Sequence, residues 1–127
     1  MSLSFTVPLV PPSLNHYVRH TMKGRRYVTA EAEAFKAAVA IHLNGRFLRG
    51  KRFYCSLRIV LGKKGRGDVD NFPKLVLDGL AEAGAFCDLK DKPLSDAHVR
   101  RLLVDVDEDE RPEVGRTEIV LEVLNAK

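Results

Sequence analysis

The segment Gly67-Asp68-Val69-Asp70-Asn71-Phe72-Pro73-Lys74 sets two carboxylates two residues apart, with a lysine four residues after the second. Carboxylates that point to one place repel and resist ionising together unless a cation lies close. A divalent metal removes that difficulty. Mg²⁺ prefers carboxylate oxygen and keeps waters that a phosphate can displace. Lys74, one helical turn beyond Asp70, could hold a phosphate or stabilise charge in a transition state. Asp78 follows one turn later. The same residues also fit a plain surface ladder at i, i+4 and i+8, worth about a few tenths of a kcal/mol per pair. Asp68 and Asp70 could equally cap a helix. Spacing alone leaves these readings open.

Other chemistry is excluded more firmly. Residues 62–68 have the glycine spacing of a phosphate loop, but Asp68 stands where that loop needs lysine. An EF-hand beginning at Asp68 fails because Pro73 replaces the central glycine and Gly79 the final glutamate. His16 and His20 have zincin spacing, yet no glutamate follows His16, and Pro11-Pro12 opposes a helix there. His42 falls on the apolar side of a helix and reads as structural. Cys55 reads as a packed strand residue. No serine or cysteine has a neighbouring base that would mark a nucleophile.

The elements that must position the acid pair follow from periodicity. Residues 4–10 read as a strand ended by Pro11-Pro12, and residues 26–28 as a short strand. Thr29 is a helix cap, with Glu31 and Glu33 in the dipole-favoured first turn. Phe35, Ala38, Val39, Leu43 and Phe47 recur at helical spacing, which predicts a helix over 30–48 with Gly50 as its stop. Residues 53–61 alternate as a strand, with Phe53, Cys55, Leu57, Ile59 and Leu61 on one face. A second helix is expected over 72–83, capped by Asn71, with Pro73 tolerated in its first turn. Strands are expected over 99–106 and 117–123, joined by an acidic turn across 107–115 that reads as a solvated hairpin. The expectation is a single mixed α/β domain of α+β type spanning 1–127. It has a four- to five-stranded mixed sheet and two main helices.

The chain has 127 residues, 45% of them hydrophobic, enough for one packed core. No apolar run approaches the roughly 18 residues of a membrane span, and the N-terminal stretch has neither a basic start nor an unbroken apolar run. Two cysteines without a CxxC pair fit a reducing cytoplasm. The formal net charge of +4 hides a division: residues 1–67 carry thirteen Lys/Arg against two acids, net +11, and the rest carry eight against fifteen, net −7. Such asymmetry suggests a polyanion-binding surface in the first half, unless folding intermixes the charges.

The string Asp68-Val69-Asp70-Asn71-Phe72-Pro73-Lys74, with Leu77-Asp78-Gly79-Leu80 after it, resembles the DxDN-x-x-K-x-x-x-D-x-L core of RusA-type Holliday-junction resolvases. Pro11-Pro12-Ser13-Leu14-Asn15-His16-Tyr17 is similar to that family's PPS-x-N-x-Y element. Arg26-Tyr27-Val28-Thr29 is similar to its next segment. Ser95-Asp96-Ala97-His98-Val99 sits where the family carries D-D-x-x-V. The order holds from about residue 5 to residue 123.

The resemblance implies a homodimeric DNA endonuclease that cuts four-way junctions and leaves 5′-phosphates, using Mg²⁺ with Mn²⁺ able to substitute. Bacterial or prophage origin would suit it. Asp68, Asp70 and Asp96 would be the metal-binding carboxylates, Lys74 the catalytic lysine and Asp78 a supporting acid. Two departures stand out: Ser95 replaces the first acid of the family's pair, and the longer loop 86–94 brings Asp88 and Asp91 as possible replacements. Lys63, Lys64 and Arg66 precede the acid pair and are expected to steer DNA, with Arg25 and Arg26. Arg46, Arg49, Lys51 and Arg52 are further candidates. The competing readings are a nuclease for other branched DNA or RNA, and a non-catalytic or degenerate nucleic-acid-binding module.

Overall fold

A computed structural model describes residues 2–12, 18–20, 26–63 and 72–124. Its centre is strand β5 (Phe53–Val60), whose inward residues alternate as the sequence predicts: Phe53, Cys55, Leu57 and Ile59 are fully buried. Strands β1 (Ser2–Val7), β8 (Arg116–Val123) and β7 (Val99–Asp107) complete a four-stranded sheet in the order β1-β8-β5-β7. β8 runs antiparallel to both β1 and β5, whereas β7 runs parallel to β5. The sheet is therefore mixed, and the fold is a small α+β one with two helices among the described residues. Short ladders lie outside it: β2 (Val18–His20) with β3 (Arg26–Val28), and β4 (Leu48–Arg49) with β6 (Phe86–Cys87).

Helix α1 (Ala30–Leu43) begins at Thr29, whose hydroxyl accepts from the Ala32 amide at 3.3 Å. It buries Ala32, Phe35, Val39 and Leu43. The helix stops five residues before the predicted end. Asn44 and Gly45 both take positive φ, 55° and 73°, so the Asn-Gly pair turns the chain into the left-handed region and closes the helix. Phe47 consequently leaves the helical face and is 40% exposed, and Leu48 enters β4 instead. Helix α2 (Pro73–Glu82) buries Leu75, Val76, Gly79 and Leu80 against α1 and the sheet. Its cap position falls on Phe72 rather than Asn71, with Pro73 at the first helical position. Phe53 and Phe86 stack at 4.9 Å between the sheet and the segment after α2.

The acidic turn is not a hairpin. β7 and β8 flank β5 on opposite sides, so the connection between them crosses over the end of β5. Arg58 ties the arrangement together. From the middle of β5 it pairs with Asp107, with Glu110 at 2.9 Å and with Glu118 at 3.0 Å, while Arg116 joins Glu110 and Glu118. Carboxylates from both neighbouring strands thus meet one guanidinium. The crossover also clamps the exit of β5. The Leu61 amide donates to Asp107, the Lys63 amide to Pro112, and Arg111 Nη1 to the Gly62 carbonyl.

At that clamp two glycines pass back to back. A Cβ on Gly115 would lie 2.5 Å from the Val60 carbonyl oxygen and 2.8 Å from the Gly62 nitrogen. Backbone cannot yield as a side-chain tip does, so Gly115→Ala should cost about 1–3 kcal/mol by overpacking. Thermal denaturation should register this as a drop of several degrees. An unchanged midpoint would mean the crossover can move aside freely.

Candidate active site

The connection from β5 to α2 contains both sequence-predicted acids, and its described ends are firmly held. On one side Gly62 and Lys63 are bound by the crossover. On the other, Phe72 is 1% exposed and packs with Ile59 and Leu61. Asp68, Asp70, Lys64 and Arg66 lie between these anchors, outside the described residues, as does Arg25. The acidic crossover thus has a positional role that its composition did not reveal.

Beyond Phe72 the structure brings three predicted residues together. Lys74 stands in the first turn of α2 and Asp78 one turn later, with Lys74 Nζ 3.0 Å from Asp78 Oδ1. Asp96 arrives from a different segment, the 3₁₀ turn Asp96–His98 that packs on α2. Its Oδ2 lies 3.9 Å from Lys74 Nζ. The Asp78 hydrogen bond, then the charges of Asp78 and Asp96, raise the lysine pKa above its ordinary 10.5 against some desolvation and the nearby Lys36. Lys74 is therefore a fixed cation at neutral pH, suited to holding an anion and unsuited to acting as a base.

Ser95, which departs from the family pattern, has a visible task. Its hydroxyl accepts from the Ala97 amide at 3.2 Å and caps the turn that presents Asp96. Serine and aspartate cap equally well, so the substitution preserves the geometry of Asp96 while removing one charge. Asp88 and Asp91 are occupied differently. Asp88 accepts from the Lys90 and Lys92 amides at 2.8 and 2.9 Å, which hold its pKa below the usual range, and Asp91 pairs with Arg49. Both build the 88–92 loop. Among the described residues no three metal-ligating side chains lie together.

The predicted basic residues separate by partner. Lys63 is exposed and pairs with Glu113 at 2.9 Å, a contact worth at most about 1 kcal/mol and readily exchanged for a phosphate. Arg46 bonds the Leu43 and His42 carbonyls and lies over Phe5, so it closes α1. Arg49 covers Phe47. Lys51 and Arg52 are exposed beside His98 and Arg100, two residues that no sequence pattern singles out. The signal was weak, since His98 closes a short 3₁₀ turn and Arg100 sits beside Arg101 at the start of a strand. Arg26 lies in β3. His42 is structural as expected, its Nδ1 donating to Ala38 at 2.8 Å. Cys55 is fully buried and its thiol is pushed up to about 12 by desolvation, which makes it inert.

Fold and site together define a small α+β domain with a lysine-and-carboxylate centre where a helix start meets a 3₁₀ turn. No family model matches the chain. It is 36% identical over 88 residues to the crossover junction endodeoxyribonuclease RusA of Escherichia coli (strain K12), covering 67% of this chain and 72% of that protein. It is 36% identical over 81 residues to the crossover junction endodeoxyribonuclease of Enterobacteria phage 82, covering 61% and 67%. The RusA of Shigella sonnei (strain Ss046) matches at 34% over 88 residues, covering 67% and 72%. The chain belongs to the RusA family of crossover junction endodeoxyribonucleases.

Proposed function

We propose that this protein is a crossover junction endodeoxyribonuclease that resolves Holliday junctions by paired, symmetric nicks in recombination and repair, using Mg²⁺ or Mn²⁺. The observation that carries the reading is the meeting of Lys74, Asp78 and Asp96, drawn from two separate segments at the mouth of the connection that contains Asp68 and Asp70. The donor set suits a hard divalent cation. Asp68, Asp70 and Asp96 offer carboxylate oxygen only. Among the described residues the single ion-pair partner of Asp96 is Lys74, at 3.9 Å, which leaves its oxygens accessible.

The bound ion would lower the pKa of a coordinated water and polarise the phosphodiester. The chain's own groups do the rest. Asp68, Asp70 and Asp96 hold the site's negative charge in place. Lys74, kept protonated by Asp78, faces the scissile phosphate and stabilises the charge that grows on its oxygens. Lys63, Lys64, Arg66, Arg25 and Arg26 steer the DNA.

A four-way junction has approximate two-fold symmetry, and a C₂ homodimer would set two identical sites on two strands. Support comes from β7, an edge strand in the protomer that leaves Leu102 and Leu103 41% and 48% exposed. No helix among the described residues is long and apolar enough to cross a membrane, and the reading needs only DNA and a second copy of the chain as partners, in the bacterial cytoplasm.

The test is an immobile, strand-labelled four-way junction incubated with the protein in Mg²⁺, in EDTA, and beside linear duplex of the same sequence. Paired nicks confined to the junction with Mg²⁺ are expected. Equal cutting of linear duplex, or cutting in EDTA, would overturn the reading. Tight binding with no cuts in Mg²⁺ or Mn²⁺ would make this a binding protein instead.

A further inference from the structure

Folding cancels much of the charge division along the chain. Lys36 meets Glu82 at 2.8 Å, Arg49 meets Asp91, Arg58 meets three acids, and Lys63 meets Glu113. Each is a first-half cation matched by second-half carboxylates. Lys51, Arg52, His98 and Arg100 escape this cancellation. Among the described residues none of the four has a carboxylate within ion-pair distance, and they line one cleft. Two of them come from the basic half and two from the acidic half, so only the tertiary structure assembles the group. The cleft holds about 480 Å³, many times the roughly 30 Å³ of one water, so a hydrated phosphodiester has room.

The backbone is built to make this cluster. In the β5–β7 ladder Phe53 faces Val99 and Tyr54 faces Arg101, which leaves Arg100 as an extra residue. Such a one-residue register shift re-aims a side chain. Here it lies on the edge strand and delivers Arg100 to the cleft. His98 Nδ1 donates to the Lys51 carbonyl at 3.3 Å and so ties the 3₁₀ turn to the β4–β5 connection, the two segments that supply the charges. The same turn reaches the candidate active site. Its first residue, Asp96, faces Lys74, and its last, His98, lines the cleft.

We propose that Lys51, Arg52, His98 and Arg100 form a phosphate-binding cleft that grips the sugar–phosphate backbone of the DNA beside the cleavage position. The proposal rests on the nuclease reading for the identity of the polyanion. Three cations without an ion-paired carboxylate, beside a His98 that holds the two walls together, suit a phosphodiester, and their position one short turn from Asp96 places it on the flank of the scissile phosphate.

The experiment measures binding of a fluorescent four-way junction in EDTA across a salt series, for wild type, Arg52→Gln/Arg100→Gln and Arg100→Lys. The double variant should bind roughly tenfold more weakly near 0.1 M salt. Its slope of log affinity against log salt should be shallower by about one for each phosphate that is no longer neutralised. Arg100→Lys keeps the charge and should retain most of the slope. Both Arg52 and Arg100 are exposed, so melting temperatures should not change. A junction carrying single neutral methylphosphonates should reveal a position near the nick that weakens wild type and leaves the double variant indifferent. If wild type binds the junction and the double variant matches it in affinity and slope, the cleft is wrong and the nuclease reading stands. If wild type binds no junction, both fall together.

Discussion

Asp70→Asn is expected to slow junction cleavage in Mg²⁺ by on the order of 10³-fold, while junction affinity stays within about threefold of wild type. The amide keeps the shape of the side chain and removes the charge that a hard cation requires. Carboxylate oxygen is the preferred Mg²⁺ donor, and on the proposed reading Asp68 and Asp70 would lose their shared cation site when one becomes neutral. Binding should survive because Asp70 adds a negative charge that DNA does not need. If anything, a neutral residue there removes repulsion. Single-turnover cleavage at saturating protein, with affinity measured separately in EDTA, separates the two effects. Cleavage at the wild-type rate would remove Asp70 from the centre, and a parallel loss of binding would indicate damage to the fold around the connection.

Lys74→Met is expected to lower single-turnover cleavage by about 10²- to 10³-fold with little change in junction affinity, since the change removes stabilisation of the transition state rather than a general attraction. The lysine side chain is 58% accessible and its partner Asp78 19%, so loss of the ion pair should cost no more than about 1 kcal/mol of stability. An unchanged melting temperature beside a large rate loss would therefore locate the effect in the chemistry. The pH profile adds a second readout. The lysine pKa is raised above 10.5, so its charge persists across neutral and mildly alkaline pH and is lost only above that value. Wild-type cleavage should show no fall assignable to Lys74 below about pH 10. Lys74→Arg keeps the charge without the compact ammonium and should retain only part of the rate. Full activity of Lys74→Met would assign the lysine to the surface ladder that spacing alone also permits.

The elements whose period matches their burial were legible in order and type. β5 alternates apolar and polar residues because one face meets both helices, and Phe35, Val39 and Leu43 share a stripe because α1 lies across that face. The Asn44-Gly45 stop was equally local, but the apolar Phe47 and Leu48 extend the helical period past it. Periodicity cannot distinguish a helix that continues from a strand that begins there. The DxD segment, its lysine and the Ser95-Asp96 pair were legible as a match to the family pattern, while their spacing alone left a surface ladder and a helix cap equally open.

What the sequence by itself determined about this protein is the identity and order of its chemical groups and the local period of most elements, because these depend on neighbours along the chain. Only the tertiary structure decided which distant groups meet. The crossover of the acidic segment brings carboxylates of two strands onto Arg58 at once. The approach of Asp96 to Lys74 depends on how α2 packs against a 3₁₀ turn. The gathering of Lys51, Arg52 and Arg100 in one cleft depends on the β4–β5 connection meeting the start of β7, where the β5–β7 register shifts by one residue. Each is set by side-chain packing and Coulomb attraction between segments far apart along the chain, to which no local pattern is sensitive.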